Sequence, residues 1–173
     1  MLSIIIPLRN ETENLKNLKE NFEKNLTNYS FEVIFINDFS TDNTLKIANE
    51  ISRESQNFKV FDNTKKGLGG AINLGLDKSE GDYICIMMAD LSDDFDDLKK
   101  YYEEIKKHNL DSIFGSRFLK DSKVINYPIK KLILNRIFNF IVSILFLNKY
   151  NDYTNAFKIY KAQKIKNMLP FIS

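Results

Sequence analysis

The chain has 173 residues, the length of one ordinary domain built around a single hydrophobic core. With 43% apolar and 28% charged residues, six Gly and three Pro, its composition excludes a disordered, collagen-like or disulfide-rich protein. The 25 basic and 23 acidic residues give a net charge of +2, which is no reason to expect a nucleic-acid partner. Cys85 is the single cysteine and lies in an apolar run, so we interpret it as an unreactive core residue of a protein in the reducing cytosol.

Short apolar runs rich in β-branched and aromatic residues alternate with amphipathic stretches along the chain. The runs that have the length and composition of buried strands are residues 2–6, 31–36, 58–61, 83–88 and 112–114. Between them, apolar side chains recur at helical spacing, beginning with Leu15, Leu18 and Phe22. This alternation predicts an α/β protein with a Rossmann-like, mostly parallel central sheet and helices on both faces. Ligands are then expected at the carboxyl ends of the strands.

The sequence changes in character after Arg117. Residues 132–147 are the most apolar stretch, yet they include Asn135, Arg136 and Asn139 and span only 16 residues. A membrane-spanning helix needs about 20, so we expect this segment to lie in the membrane surface or to pack as a core helix. A further strand is predicted within residues 155–160 and a short helix within residues 161–168. No linker or repeat marks a domain boundary inside the chain.

Polar loops follow the first two predicted strands. Residues 7–11 offer backbone N–H groups and a carboxylate to a nucleotide, although Pro and Asn-Glu are also ordinary residues for a helix start. Asp38 follows the second strand, where its carboxylate can accept a hydrogen bond from the N–H edge of uracil or guanine. The alternative is that Asp38 only caps the next helix, for which Ser40 or Thr41 is the predicted N-cap.

A glycine-rich stretch follows the third predicted strand. Gly67 and Gly69 are present, but Ile72 stands where a dinucleotide-binding fingerprint needs its third Gly. The stretch also lacks the Gly-Lys-Ser/Thr ending of a P-loop, so both kinds of site are excluded. It remains either a helix start that glycine allows to approach a ligand closely or a helix start without a ligand.

Three carboxylates, those of Asp90, Asp93 and Asp94, lie within five residues after the fourth predicted strand. Oxygen ligands of this kind suit Mg²⁺ or Mn²⁺ bridging a diphosphate, because the cation neutralises charge on a departing nucleoside diphosphate. The alternative is a solvated, acidic helix start, and we expect Asp96 and Asp97 to belong to it.

Two basic residues, Arg117 and His108, could bind a phosphate or a metal ion. Arg117 follows the fifth predicted strand, where its guanidinium can fork onto phosphate oxygens or lie on the surface of a loop. His108 is the single histidine and is expected at an exposed helix end, which excludes a zinc site built from histidines.

Taken in order, these segments resemble the motifs of family-2 glycosyltransferases of the GT-A fold, most of all the dolichol- or polyprenyl-phosphate mannosyl- and glucosyltransferases. The motifs are Pro7-x-x-Asn10-Glu11, Asn37-Asp-x-Ser-x-Asp-x-Thr44, Lys66-Gly-Leu-Gly, Gly81-Asp-Tyr, Ala89-Asp-Leu-Ser, Gly115-Ser-Arg and Asp152-x-Thr-Asn-Ala-Phe157. The resemblance implies transfer of a sugar, with inversion, from a nucleotide-sugar donor to the phosphate of a membrane polyprenol. It also implies a protein on the cytoplasmic face of the membrane with a peripheral membrane contact.

The resemblance further implies roles for the matched positions. The binding residues are Asp38 for the nucleobase, Pro7, Arg9 and Glu11 for the nucleoside, Lys66, Gly67 and Ala89 without a more particular role, and Arg117 with Arg136 for phosphates. Asp90 is assigned to the metal ion and diphosphate, and the catalytic residues are Asp90, Asp93 and Arg117. An inverting transfer to a hydroxyl needs a general base, whereas a phosphate acceptor is already an anion and needs none. Residues 152–155 lack the Glu-Asp pair of hydroxyl-glycosylating relatives, which favours a phosphate acceptor.

The chain departs from the family pattern at several positions. Asn37 and Met88 each stand where the family usually has an Asp, so one carboxylate on the metal side is absent. Asp93, where many relatives have His, is a candidate to replace it as a ligand or to act as a base. Lys158 replaces the usual Arg and provides a cation without a fork. We therefore expect residues 1–173 to form one catalytic domain without the family's further C-terminal strand, helix and basic loop.

Three other functions remain in view. One is a catalytically silent nucleotide-sugar-binding protein of the same fold, and another is a transferase that acts on a hydroxyl of a cell-envelope glycan. A nucleotidyltransferase is less favoured, because a Gly-rich, basic signature directly after the first strand is absent. The pattern predicts no particular oligomeric state.

Overall fold

The computed structural model describes residues 1–119, 122 and 128–169, and in this part of the chain strands and helices alternate throughout. The strands are β1 (Leu2–Leu8), β2 (Phe31–Asn37), β3 (Phe58–Asp62), β4 (Tyr83–Ile86), β5 (Ser112–Phe114) and β6 (Lys158–Lys161). The helices are α1 (Leu15–Asn25), α2 (Thr44–Glu54), α3 (Leu68–Lys78), α4 (Phe95–Lys107), α5 (Ile129–Leu145) and α6 (Ala162–Lys166).

The strands form one six-stranded sheet in the order β3-β2-β1-β4-β6-β5. β1 pairs in parallel with β2 and β4, β2 pairs in parallel with β3, and β6 runs antiparallel to β4. Leu8 lies opposite Asn37, and Asn37 lies opposite Asp62, so the carboxyl ends of β1, β2 and β3 are level. The predicted mostly parallel α/β sheet is therefore confirmed, and this level edge positions the loops described below.

Helices cover both faces of the sheet, and β1 and β2 are therefore buried along their whole length. Ile4, Ile6 and Phe35 pack on one face with apolar side chains of α1, α2 and α4. Ile5 and Ile34 pack on the other face with α3 and α6. Cys85 lies in the first of these clusters, and burial raises the pKa of its thiol well above the usual value, as expected for an unreactive core residue.

Some element boundaries differ from the predicted ones. β1 continues past Pro7 to Leu8, which is possible because β4 pairs with β1 only as far as Ile5. α5 begins at Ile129, before the apolar stretch that predicted it. The predicted N-cap of α2 at Ser40 or Thr41 is wrong, because the helix begins at Thr44 and residues 40 and 41 bond to the loop after β1 instead.

The chain divides into two compact units. The first contains residues 1–113 and 157–173, and the second contains residues 114–156 with helix α5. Within the described ranges, no helix combines the length and the apolar character that crossing a membrane requires.

Candidate functional site

The loops after β1 and β2 are joined by hydrogen bonds at the carboxyl edge of the sheet. Asn10 donates its backbone N–H to Ser40 Oγ at 3.2 Å, and its side-chain oxygen accepts from the backbone N–H of Thr41 at 2.8 Å. The backbone N–H of Glu11 donates to Thr44 Oγ1 at 2.7 Å. The two loops are therefore joined into one polar rim.

Asp42 lies at the outer side of this rim. The Thr12 hydroxyl donates to Asp42 Oδ2 at 2.6 Å, and the backbone N–H of Thr44 donates to Oδ1 at 3.0 Å. The hydrogen bond from Thr12, reinforced by those from Thr44, lowers the pKa of Asp42 to about 2. A polar cavity of about 560 Å³ lies beside it, lined by Asn10, Glu11, Thr12, Glu13, Asn14, Thr41, Asp42 and Asn43.

Asp38 is buried at the end of β2 and is held in a defined orientation. Its Oδ1 atom accepts hydrogen bonds from Asn63 Nδ2 at 2.7 Å and from the backbone N–H of Gly67 at 2.8 Å. Its own backbone N–H donates to the carbonyl of Leu8 at 2.8 Å. Asp38 thus binds the loop before α3, and the alternative that it caps the helix following β2 is wrong, since α2 begins only at Thr44.

Asn63 is a residue of this site that the sequence analysis missed. Its side chain is buried, donates to the Lys65 carbonyl at 2.6 Å as well as to Asp38, and accepts from the Lys65 backbone N–H at 3.1 Å. Asparagine is abundant in this chain, so nothing in the residue type alone distinguished it.

Gly67 explains the glycine-rich stretch. It precedes α3 with φ +115° and ψ 162°, a conformation that side chains of other residues do not tolerate. In this conformation its N–H points to Asp38. The neighbouring Lys66 is exposed. Glycine is therefore required at position 67 by its backbone conformation and not by crowding, because an added Cβ would meet no atom within 4 Å. Its N–H binds Asp38, and close approach to a ligand stays a prediction.

The structure also explains why Asn37 stands where the family usually has Asp. Its side-chain N–H donates to Asp62 Oδ1 at 2.7 Å, and its side-chain oxygen accepts from the backbone N–H of Ser40 at 3.2 Å. A second carboxylate at position 37 would lie against that of Asp62, and like charges at this distance repel. The amide donates where a carboxylate cannot.

The carboxylates after β4 differ in their contacts. Asp90 is exposed, and its Oδ1 accepts from the backbone N–H of Ser92 at 3.0 Å. Asp93 is half-buried, and its Oδ2 accepts from the backbone N–H of Met88 at 3.0 Å. Asp94 is the N-cap of α4 and accepts from two backbone N–H groups of its first turn. Ala89, between β4 and Asp90, is buried.

This loop holds no complete metal site of its own. Among residues 1–119, 122 and 128–169, no three Asp, Glu, His or Cys side chains converge closely enough to hold a metal ion. Mg²⁺ is commonly bound by one or two carboxylates together with substrate phosphates and water. The exposed carboxylate of Asp90 is suited to be one such protein ligand. A metal ion bound by Asp90 would then take its remaining ligands from a diphosphate and water.

Three loops at this edge contain a residue other than glycine with a left-handed backbone. Asn10, Phe39 and Leu91 have φ values of 60°, 56° and 60°, and they follow β1, β2 and β4. Such conformations are unfavourable for most residues and occur preferentially at ligand sites. Asn109 and Leu147, which follow α4 and α5, have similar φ values, so this conformation is not confined to the carboxyl edge of the sheet.

Arg117 and Arg136 lie in the second unit and share one aromatic ring. Their guanidinium carbons lie 5.5 Å and 5.0 Å from the centre of the Phe118 ring. Arg117 also forms an ion pair with Asp152, with 2.7 Å between Nη2 and Oδ1. Phe118 and Asp152 were not predicted as members of a site, although Asp152 begins the motif Asp152-x-Thr-Asn-Ala-Phe157.

The predicted site residues therefore fall into two groups. Asp38 and Gly67 are in direct contact, and Arg117 and Arg136 are gathered at Phe118. The remaining residues of the first unit are Pro7, Arg9, Glu11, Lys66, Ala89, Asp90 and Asp93, and each lies in or directly beside a loop at the carboxyl edge. Pro7 is buried, whereas Arg9 is exposed.

This fold is that of the GT-A glycosyltransferases. The mannosyltransferase PcManGT from Pyrobaculum calidifontis, solved with GDP-Man and Mn²⁺, aligns with 99% of this chain and 47% of its own at a TM-score of 0.65 and 15% identity. Staphylococcus aureus TarS 1-349, solved with UDP-GlcNAc, aligns with 96% of this chain and 47% of its own at a TM-score of 0.61 and 22% identity. Both neighbours thus hold a nucleotide sugar on this fold.

The chain belongs to glycosyl transferase family 2, whose profile matches residues 3–169. It is 35% identical over 136 residues to a dolichol-phosphate mannosyltransferase of Pyrococcus furiosus, covering 78% of this chain and 38% of that protein. It is 28% identical over 171 residues to a dodecaprenyl-phosphate galacturonate synthase of Rhizobium johnstonii, covering 96% of this chain and 49% of that protein. The chain spans less than half the length of these two relatives.

Proposed function

We propose that this protein is an inverting glycosyltransferase that moves a sugar from a GDP- or UDP-linked donor to a polyprenyl phosphate. The observation that carries the proposal is the set of polar loops after β1, β2 and β4, which follow adjacent strands of one sheet edge. Family membership supports the activity, and the names of the two relatives support the lipid-phosphate acceptor.

The donor binds along this edge in the proposal. Asp38 accepts a hydrogen bond from the nucleobase, because a carboxylate held by Asn63 and Gly67 presents an acceptor to a uracil or guanine N–H. The loop of residues 7–11 contacts the nucleoside, since β1 lies between β2 and β4 in the sheet. A complex with the base more than about 5 Å from Asp38, beyond any direct hydrogen bond, would contradict this assignment.

Asp90 is the protein ligand of a divalent cation, Mg²⁺ or Mn²⁺, in this proposal. When bound with the donor, the cation supplies positive charge to the leaving diphosphate. The PcManGT structure with Mn²⁺ supports a cation of this kind on the fold. Asp93 is assigned as a second ligand of the cation, and its hydrogen bond from the Met88 N–H also stabilises the loop. The role of a base belongs to Asp93 only where the acceptor is a hydroxyl.

Arg117 and Arg136 bind phosphate groups of the acceptor. Arg136 can match phosphate oxygens through the paired hydrogen bonds of its guanidinium group. Arg117, whose Nε and Nη2 atoms are bound to Asp152, contributes its positive charge. A phosphate acceptor carries its own negative charge, so the transfer proceeds without a general base.

Helix α5 is proposed to lie in the surface of the membrane, at its cytoplasmic face. Phe138, Ile141 and Leu145 are at least half exposed, and Lys130 and Lys131 provide positive charge for anionic lipid. An amphipathic helix of this kind meets a lipid-linked acceptor where its phosphate leaves the bilayer.

Thermal shift against UDP, GDP and their sugar conjugates, each with Mn²⁺, tests the donor, because a ligand that binds the folded state raises its melting temperature. Transfer from the stabilising sugar nucleotide to farnesyl phosphate then tests the activity. Binding without transfer or donor hydrolysis would identify a catalytically silent binding protein. Transfer to an oligosaccharide hydroxyl but not to farnesyl phosphate would identify a glycan-modifying enzyme.

A further inference from the structure

Asp152 is completely buried and is bound by three nitrogen atoms of Arg117. The backbone N–H and Nε donate to Oδ2, each at 2.9 Å, and Nη2 donates to Oδ1 at 2.7 Å. This is the bidentate geometry that orients a guanidinium most strongly. A buried carboxylate requires such a partner, and in return it determines where the guanidinium lies.

The ion pair leaves Arg117 accessible while it hides Asp152. The side chain of Arg117 is 27% exposed and that of Asp152 is 0% exposed. An anion that approaches from the solvent therefore meets the guanidinium and not the repelling carboxylate. The hydroxyl of Thr154 accepts a further hydrogen bond from Arg117 Nη2 at 2.9 Å, which holds the same orientation.

The ring of Phe118 brings a second cation to this place. The guanidinium groups of Arg117 and Arg136 both contact it, and aromatic faces attract cations. Among the described residues of this group, two guanidinium groups accompany one carboxylate. The cluster Arg117, Phe118, Arg136 and Asp152 is thus suited to a phosphate group.

We propose that Asp152 is a positioning residue, which orients Arg117 beside Arg136 so that the two guanidinium groups bind the acceptor's phosphate. Asp152 is not a general base, because a base must touch the proton that it removes, and this carboxylate is covered and bound by Arg117. The inference rests on the proposed function, and it assigns the acceptor to phosphates rather than hydroxyls.

The test uses the full chain with farnesyl phosphate in detergent micelles as the probe. We expect Asp152→Asn to raise the Kd and the KM for farnesyl phosphate about tenfold or more, since it removes charge-assisted hydrogen bonds to Arg117. The Kd for the nucleotide and the pH profile of kcat remain as in wild type. Asp111→Asn, which changes an exposed carboxylate near Lys161 and Lys164, is the matched control and leaves farnesyl phosphate binding unchanged.

A double-mutant cycle separates positioning from a general structural role. If Asp152 acts through Arg117, then adding Asp152→Asn to Arg117→Gln weakens farnesyl phosphate binding little further. Should Asp152→Asn not fold, Arg117→Lys replaces it, because lysine keeps the charge and loses the fork. We expect that variant also to bind about tenfold more weakly or worse.

Three results would overturn the inference. Wild-type binding of farnesyl phosphate by Asp152→Asn, or by Arg117→Lys where the first variant does not fold, removes the positioning role while the proposed function stands. A changed pH profile of kcat with an unchanged KM makes Asp152 a base. Failure of the wild-type protein to bind farnesyl phosphate refutes the proposed acceptor, and the positioning role with it.

Discussion

The carboxylate of Asp38 is oriented by the side chain of Asn63 and the backbone N–H of Gly67. A carboxylate at the end of a strand can rotate about its side-chain bonds, and the two hydrogen bonds to Oδ1 prevent this rotation. Asn63 provides one of them. Its side-chain N–H also donates to the Lys65 carbonyl, and its side-chain oxygen accepts from the Lys65 backbone N–H. Recognition of the nucleobase by Asp38 is therefore expected to depend on Asn63, which need not touch the ligand.

We predict that Asn63→Ala weakens binding of the preferred nucleoside diphosphate about tenfold and destabilises the protein by about 2 kcal/mol, because a buried donor and acceptor lose their partner. Asn63→Asp should be worse, since it places a second carboxylate beside Asp38. Calorimetric titration and urea unfolding measure the two effects. Asn49→Ala, on the exposed side of α2, is the control and should change neither.

Asp90 gives a prediction about metal dependence. Its carboxylate is exposed and makes one hydrogen bond, to the Ser92 N–H, so Asp90→Asn should leave the fold intact. We expect this variant to lose transfer activity. We also expect Mn²⁺ to bind the wild-type protein tightly only when a nucleoside diphosphate is present, because the described residues hold no group of three metal-binding side chains.

Titration of Mn²⁺ with and without the nucleotide, followed by its electron paramagnetic resonance signal, checks both statements. Asp96→Asn is the matched control, because Asp96 is an exposed carboxylate of the first turn of α4. Normal turnover by Asp90→Asn would contradict the assignment of Asp90 as a ligand.

At the scale of elements, a buried carboxylate joins the amino ends of the strands. Glu32 on β2 accepts hydrogen bonds from Ser3 Oγ at 2.6 Å and from the Glu80 backbone N–H at 2.7 Å, and it pairs with Lys59 on β3 at 2.8 Å. The largest single effect on the pKa of Glu32 is burial, which acts to raise it. The hydrogen bonds from Lys59, Ser3 and Glu80 outweigh burial, so its pKa lies below the usual 4.5.

This network predicts an acid-sensitive fold. Because folding lowers the pKa of Glu32, its contribution to stability is complete above pH 4.5 and is lost as the pH falls through the lowered pKa. Glu32→Ala should reduce the free energy of unfolding by about 3 kcal/mol at pH 7, and by less in acid. Urea unfolding at several pH values measures this, with Glu20→Ala on the exposed side of α1 as the control. An equal loss at pH 7 and in acid would contradict it.

Helix α5 (Ile129–Leu145) exposes apolar side chains and buries a polar one, whereas a helix in a globular protein usually does the opposite. All of its residues are described, and its single buried side chain is that of Asn139, while most of its large apolar side chains are exposed. Asn139 accepts a hydrogen bond from the backbone N–H of Tyr153 and donates to the Asn135 carbonyl at 2.7 Å. The helix is thus attached through the amide of Asn139 and through the contact of Arg136 with Phe118, and most of its large apolar side chains stay exposed.

We predict that the protein floats with vesicles that contain anionic lipid and that Lys130→Gln with Lys131→Gln reduces the bound fraction several-fold, since each cation near such a surface contributes about 1 kcal/mol. The control is Lys106→Gln with Lys107→Gln, which removes an adjacent pair of exposed lysines from the end of α4. Equal flotation of both double variants would assign α5 to a contact with protein instead of lipid.

At the scale of the whole molecule, the proposed roles are divided between the two units. The residues assigned to the donor lie in the first unit, and the arginines assigned to the acceptor lie in the second. The family match extends through both, from residue 3 to residue 169. Thermal shift by a nucleotide and binding of farnesyl phosphate therefore report on different parts of the protein.

The sequence by itself determined the kind of fold and the edge of the sheet at which the polar loops lie. Buried parallel strands require continuous apolar runs, and covering helices require apolar residues at helical spacing, so both leave periodic patterns in the chain. The polar motifs directly after those runs then fall at one edge, because parallel strands end on the same side. Asp38 and Gly67 could be predicted for this reason.

Only the tertiary structure decided which of these residues are partners. Asn63 meets Asp38 across 25 residues of sequence, and Asp152 meets Arg117 across 35. Such contacts depend on the order and register of the strands and on the packing of loops, which leave no periodic signal in the chain. Neither Asn63 nor Asp152 could be recognised from its residue type, because Asn is abundant in this chain and a charged Asp is usually exposed. A polar residue acquires a specific partner when burial removes water as the alternative.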